Sequence, residues 1–322
     1  QKKGDIDMLR WLGKGCIFLL VLALAAGCFI GNMAFEEFRT APWDTVLGIE
    51  NHSHDVKHMR QLEKERDWEP VRVNGLDGTI LRGTYIADKR GSHQTVILLH
   101  GLYQNRAMCL PYVSIYRKLG YNVLLIDLRG HGESGGEHTD WGLSEIDDLT
   151  QWIQWLHERD GSVKIGMHGI SLGAAMALLY AGSERGSSLS FVVADSSYGN
   201  IITLGREKLR QTVQDERVVW GYNILDPFFQ AAMLFHTHKL VANIEPGQAV
   251  QFVKAPILFL HGGKDKLVPV QTAQNLYEHC GSQDKHIYIF TNSPHAVGIE
   301  TDTDAYHRVV TRFLRTRHVQ SE

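Results

Sequence analysis

One serine stands between glycines at a point where the hydrophobic pattern changes period. Residues 163–175 read V-K-I-G-M-H-G-I-S-L-G-A-A. The apolar run ending at Met167 suits a buried strand, and residues 174–180 favour a helix. Gly169, Ser171 and Gly173 fill the reversal as G-x-S-x-G. Such a turn holds its serine in a strained backbone conformation, and neighbours without a Cβ let strand and helix pass closely. Ser171 would stand beyond the carboxyl edge of a sheet, at the positive end of a helix. Those are the surroundings of an activated nucleophile.

A serine hydroxyl attacks poorly until a base removes its proton. His295 can do so near neutral pH, and Asp265 can fix the imidazole tautomer and stabilise its cation. Each of Ser171, Asp265 and His295 lies just past the end of a predicted strand, in that order along the chain. Asp195, after the preceding strand, is the rival acid. The backbone N–H groups of Leu102 and Leu172 are the expected oxyanion donors, each worth about 2.7–4 kcal/mol in comparable sites.

The elements that must hold these residues are legible in outline. Residues 71–86 alternate as an antiparallel hairpin with Asp77-Gly78 at its turn. Residues 96–99 and 123–126 are apolar runs of the kind buried on both faces of a parallel sheet, and residues 191–194, 256–260 and 286–290 read as the strands that follow them. Between them the pattern predicts helices over 107–119, 144–157 (with Ser144 as cap) and 303–314. The expected fold is α/β, a mostly parallel and doubly covered sheet, whose ligands bind at the carboxyl ends of the strands. Residues 198–253 lack strand runs. They predict a helical cap over 199–253, whose Phe228, Phe229, Met233, Leu234 and Phe235 line an acyl or similarly apolar pocket or else pack the cap onto the body.

Gly130, Gly132 and Gly135 match G-x-G-x-x-G after a strand, but residues 136–142 remain polar and broken where a dinucleotide site needs a helix. This stretch reads as a structural loop, and no cofactor is expected. His54 and His58 have i, i+4 spacing without a third ligand nearby, and there is no C-x-x-C pair, so no metal site is expected either. The 322 residues are 43% hydrophobic and 21% charged, with 33 basic and 36 acidic residues and a net charge of −3. That balance excludes the basic excess of a nucleic-acid binder. Cys109 and Cys280 should lie on opposite faces of the sheet, which predicts no disulfide between them.

Residues 15–35 contain no charge, a run long enough to cross a bilayer, and Lys2, Lys3, Arg10 and Lys14 precede it. The positive-inside rule then makes residues 1–14 a cytoplasmic basic segment and puts the catalytic part on the extracytoplasmic face. The competing reading is a lipoprotein-type signal with its apolar core over residues 15–27 and its cleavage box at 24–28, with Cys28 lipidated. Residues 36–70 read as a stem, followed by a catalytic domain over 71–198 and 254–322.

Together, His100-Gly101, Asp127-x-Arg129-Gly130-His131-Gly132-x-Ser134, the serine turn, Gly263-x-Asp265-x-x-Val268-Pro269 and His295 resemble the α/β-hydrolase family over residues 71–316. The chain looks most like membrane-anchored or secreted members near the serine aminopeptidase and monoacylglycerol lipase group. That resemblance implies a serine hydrolase acting on small ester or acyl substrates through an acyl-enzyme, with oxyanion donors at Leu102 and Leu172. An aminopeptidase-like activity would require a cap carboxylate for the substrate amine, with Asp215, Glu216, Asp226 and Glu245 as candidates. A non-catalytic surface binding protein would be expected to lack a triad member. Ser293-Pro294 departs from the glycine or alanine that relatives carry before the histidine.

Overall fold

The computed structural model describes residues 2–213 and 216–318. Its eight strands are β1 (Glu69–Asn74), β2 (Ile80–Ile86), β3 (Gln94–Leu99), β4 (Asn122–Ile126), β5 (Lys164–Ile170), β6 (Phe191–Asp195), β7 (Ile257–Gly262) and β8 (Lys285–Phe290). They form one sheet in the order β1-β2-β4-β3-β5-β6-β7-β8. The β1–β2 and β2–β4 pairs are antiparallel, and the pairs from β4 to β8 are parallel. This is the α/β-hydrolase fold.

Helices α1 (Lys2–Thr40), α2 (Trp43–Leu47) and α3 (Lys57–Arg66) precede the sheet. Within and after it come α4 (Leu110–Lys118), α5 (Glu145–Arg159), α6 (Leu172–Ala181), α7 (Ile201–Val213), α8 (Glu216–Thr237), α9 (Pro246–Ala249), α10 (Val270–His279), α11 (Gly298–Thr301) and α12 (Thr303–His318). The apolar runs are strands because only the sheet interior can bury both sides of them; Val96, Ile97, Leu98 and Leu99 are all 0% exposed. Val96 and Leu98 join a cluster with Tyr112 and Tyr116 of α4 and Tyr306, Val310 and Leu314 of α12. Helix α3, in the segment read as a stem, contributes Met59 to the same cluster and a buried Glu63 that pairs with Arg106 at 3.1 Å.

One local expectation is corrected. Ser144 precedes α5 but makes no capping hydrogen bond; its hydroxyl donates to Asp140 Oδ2 at 2.7 Å. The buried Glu145 carboxylate accepts from the amides of Asp140 and Gly142, each at 2.8 Å, and from the Thr139 hydroxyl at 2.6 Å. A carboxylate inside the first turn satisfies more donors than one hydroxyl can, and it complements the helix dipole.

By packing, the chain divides into two units, Gln1–Ala41 with Leu209–Val241, and Pro42–Lys208 with Ala242–Glu322. In the first, Trp11–Thr40 of α1 is 30 residues long and apolar enough to cross a membrane. Gly27, Gly31, Phe35 and Phe38 fall on one face of α1 and are buried. That face meets α8. Phe228 occupies the space beside Gly27 and Gly31, and Phe229 packs against Phe35 and Phe38 with ring centroids 6.4 and 5.6 Å away. Phe228 and Phe229, read from the pattern as pocket residues or cap-to-body packing, thus serve helix pairing with α1. The second unit carries the sheet and every candidate catalytic residue.

Candidate active site

The serine turn has the geometry its glycines predict. Ser171 sits at φ 52°, ψ −110°, between β5 and the first residue of α6. A Cβ on Gly169 would lie 2.1 Å from the carbonyl oxygen of Gly173, and one on Gly173 would lie 2.2 Å from that of Leu99. Neither backbone neighbour can yield without moving the strand or the helix. Gly169→Ala is therefore expected to destabilise the fold by about 4 kcal/mol, the upper range for a point change, lowering the melting temperature by roughly 10 °C. A thermal scan checks this, and an unshifted transition would refute the packing argument.

His295 connects this turn to the acid. Its Nε2 lies 2.8 Å from Ser171 Oγ, and its Nδ1 lies 2.6 Å from Asp265 Oδ2. The His295 side chain is 19% exposed and that of Asp265 is fully buried. Asp265 Oδ1 accepts the amides of Leu267 and Val268, both at 2.8 Å. On its other side stands a second imidazole: His261 Nε2 is 3.2 Å from Asp265 Oδ2 and 2.9 Å from the carbonyl of Val268. Burial opposes charge on Asp265, but the hydrogen bonds from His261 and His295 outweigh it and hold the carboxyl well below its ordinary range. The Ser293-Pro294 departure is accommodated by Gly262, where a Cβ would lie 2.3 Å from the Pro294 carbonyl oxygen.

These ends meet for topological reasons. Ser171, Asp265 and His295 follow β5, β7 and β8, which run parallel, so all three emerge at one edge. Leu172 is the first residue of α6, and Leu102 follows Gly101, where a Cβ would come within 3.5 Å of Ser171 Cβ. The sequence profile of the prolyl oligopeptidase family matches residues 111–318, which include the serine, the acid and the histidine. The chain belongs to that family.

The family's hydrolase character recurs among further likenesses. The chain is 28% identical over 306 residues to the uncharacterized protein YqkD of Bacillus subtilis, covering 94% of this chain and 97% of that one. It is 26% identical over 196 residues to the lysophosphatidylserine lipase ABHD12 of Danio rerio, a match spanning 59% of this chain and 48% of the lipase. Among solved structures, the Pyrococcus furiosus esterase Pf2001 superposes with a TM-score of 0.63 at 26% identity, over 79% of this chain and 95% of the esterase. In fold this family member is therefore an α/β-hydrolase, and the likenesses with a named activity are a lipase and an esterase.

Several residues around the site had no assigned role in the sequence. His100 Nδ1–H donates to the Gly101 carbonyl at 2.7 Å, and its Nε2 accepts the Leu128 amide at 3.0 Å. His131 Nδ1–H donates to the Arg129 carbonyl at 2.8 Å, and its Nε2 accepts the Tyr103 amide at 3.0 Å. Each ring uses one donor and one acceptor, so both are neutral, and together they shape the loop that presents Leu102. Burial pushes the pKa of His100 down to about 3 and that of His131 down to about 4. The glycine-rich stretch wraps the Asp127 carboxylate: a Cβ on Gly132, at φ 57°, would fall 2.2 Å from the carboxyl carbon. Arg106 and the Glu133 amide complete that cage.

Asp195, the rival acid, is placed elsewhere. Its Oδ2 accepts the Tyr306 hydroxyl at 2.7 Å and its Oδ1 that of Ser196 at 2.8 Å. Ser196 Oγ accepts the Ala296 amide at 3.2 Å, and the Asp195 carbonyl accepts the Ser171 amide at 2.8 Å. Asp195 thus braces the segments bearing serine and histidine from below. Because Tyr306 gives its proton to Asp195, its oxygen accepts from His168 Nε2–H at 3.0 Å, and His168 Nδ1 accepts from Tyr116 at 2.9 Å.

Among the described residues no cluster of three or more His, Cys, Asp or Glu side chains is placed to hold a metal ion. Helix α3 begins at Lys57, so His54 lies ahead of it and shares no helical face with His58. Of the four cap carboxylates named above, Asp215 lies outside the described residues.

His168 supports a pH prediction. Burial lowers its pKa from the ordinary 6.5 to about 3, so between those values the unfolded chain takes up a proton that the fold refuses. Its stabilisation is complete above pH 6.5 and is lost as the pH falls, by about 1.4 kcal/mol per unit. His168→Gln, measured by urea unfolding in detergent between pH 7 and 4.5, should flatten the stability slope by about one proton. An unchanged slope would show that His168 does not titrate on unfolding.

Proposed function

We propose that the chain is a membrane-anchored serine hydrolase that cleaves carboxylic esters through an acyl-enzyme. Ser171 is the nucleophile, His295 the general base and then acid, Asp265 its orienting carboxylate, and the amides of Leu102 and Leu172 the oxyanion donors. The observation that carries this reading is the continuous path from Ser171 Oγ through His295 to Asp265, at 2.8 and 2.6 Å. As the serine oxygen bonds to the acyl carbon, its proton passes to Nε2, and the same proton goes to the departing alkoxide. Water then repeats the sequence in reverse and frees the acid.

The named activities of the ABHD12 lipase and the Pf2001 esterase support ester over amide substrates. The family name favours the second reading, a serine peptidase acting on short peptides or amides. A panel of aryl esters of increasing chain length against aminoacyl amides, run with and without detergent, tests the choice. Esters are expected to be turned over far faster. Preferential cleavage of the amides would transfer the assignment to the peptidase reading.

The apolar Trp11–Thr40 stretch supports the anchor, with the body on the extracytoplasmic side by the distribution of Lys2, Lys3, Arg10 and Lys14. Lipidation at Cys28 is the alternative means of attachment. The boundaries proposed are a basic segment over 1–14, the anchor over 15–35, a stem over 36–70, the catalytic body over 71–198 and 254–322, and a helical cap over 199–253.

A further inference from the structure

Helix α8 is apolar on an exposed side as well as on the side that buries Phe229, Ala232 and Met233. Ile224, Pro227, Ala231, Leu234 and Phe235 recur at spacings of three and four, so they form one stripe, and every one of them is exposed. Ile224 is 48%, Leu234 47% and Phe235 79% exposed. Asp226, Gln230 and Thr237 fall off the stripe on another side, and Asn223 flanks its edge. A helix in water carries its polar residues outward, and a contiguous apolar stripe marks a surface made for another apolar phase.

The helix that α8 packs on says which phase that is. Gly27 and Gly31 give α1 a small-xxx-small face, and Phe228 enters it so closely that Cβ atoms there would lie 2.3 and 2.5 Å from its atoms. Gly27 lies about 12 Å along the axis from Phe35, at 1.5 Å per residue. Half of a bilayer's hydrocarbon core is only about 15 Å thick. If residues 15–35 span the membrane, the part of α8 around Phe228 is inside one leaflet.

We infer that α8 is a second membrane element, seated beside α1 in the leaflet that the C-terminal half of α1 crosses, with its apolar stripe against the acyl chains. Three polar side chains of α8 suit that setting because each has a partner on α1, on α8 itself or in the segment that follows the helix. His236 Nε2 and Asn32 Oδ1 are 2.6 Å apart, the Thr237 hydroxyl donates to the Met233 carbonyl at 2.6 Å, and Gln230 Oε1 accepts the Val241 amide at 3.2 Å. Acyl chains are favoured over a second copy because the stripe adjoins a helix whose side chains from Ile17 to Leu24 are all exposed and apolar. The inference rests on the anchor reading of α1 and is independent of the triad.

The test uses the full-length chain in phosphatidylcholine vesicles. Cys16→Ser and Cys28→Ser remove the exposed thiols, while Cys109 and Cys280 are buried. Single cysteines introduced by Phe235→Cys, Leu20→Cys or Glu158→Cys then carry an environment-sensitive NBD dye. Blue-shifted emission and quenching by acyl-chain nitroxide lipids are expected at 235 and at 20, with neither at 158. Adding Gly31→Leu should remove the quenching at 235 while leaving that at 20. Water-like emission at 235 with lipid quenching at 20 would overturn the inference and leave the anchor intact. A blue shift at 235 without lipid quenching, accompanied by energy transfer between labelled copies, would assign the stripe to self-association and also overturn it. Absence of quenching at 20 would remove the anchor on which it stands.

Discussion

Ser171→Ala is expected to abolish fluorophosphonate labelling of the full-length protein and to lower kcat for aryl ester hydrolysis by roughly a million-fold. The size of the loss follows from the geometry. Without the hydroxyl no acyl-enzyme forms, and His295 Nε2, 2.8 Å from the missing oxygen, has no proton to take from the protein. What remains is water attack assisted by the oxyanion donors, some thousand-fold above the uncatalysed rate. Alanine keeps the Cβ and therefore the strain at φ 52°, so the turn itself should survive. A melting temperature within a few degrees of the parent would show that chemistry, not folding, was removed. Labelling that persists on a folded variant would move the nucleophile elsewhere and end the hydrolase mechanism proposed for this site.

Asp265→Asn should cost about ten-thousand-fold in kcat, the penalty of presenting the wrong imidazole tautomer. Here the cause can be stated atom by atom. Both Asp265 oxygens face only donors: the amides of Leu267 and Val268 on Oδ1, and His295 and His261 on Oδ2. A carboxamide has to turn its NH₂ toward one of those pairs. Turned toward the histidines, it takes the proton off His295 Nδ1 and puts it on Nε2, where it blocks acceptance from Ser171. Turned toward the amides, it opposes N–H to N–H in a buried site, at about 1–3 kcal/mol of stability. Asp195→Asn provides the contrast. Asp195 receives Tyr306 and Ser196, and asparagine can still accept one of them, so the expected loss in kcat stays near tenfold. Steady-state kinetics on both variants check the assignment, and a larger loss at Asp195 than at Asp265 would exchange their roles.

Signals that are local in the chain were legible from the residue order. The serine turn needs glycine at 169 and 173 because backbone passes within reach of where their Cβ atoms would be, and that requirement shows as a pattern of five residues. The strands from β3 to β7 were visible as short apolar runs because a doubly covered sheet demands them, β8 is the half-exposed edge strand, and parallel order followed from the alternation with helices. The positions of Asp265 and His295 after β7 and β8 could be read in the same way.

Tertiary structure decided whatever depends on two distant segments meeting. Which of two strand-end carboxylates stands 2.6 Å from His295 Nδ1 is set by how β6, β7 and β8 lie side by side, not by either local sequence. His261 on Asp265, and His168 between Tyr116 and Tyr306, carry no sequence signature, because burial and a partner far away in the chain give each ring its role. The same holds for α8, whose aromatic residues read equally as pocket or packing until Phe228 was found against Gly27 and Gly31. Composition declares that a side chain is apolar; only the packed chain determines which apolar surface it meets.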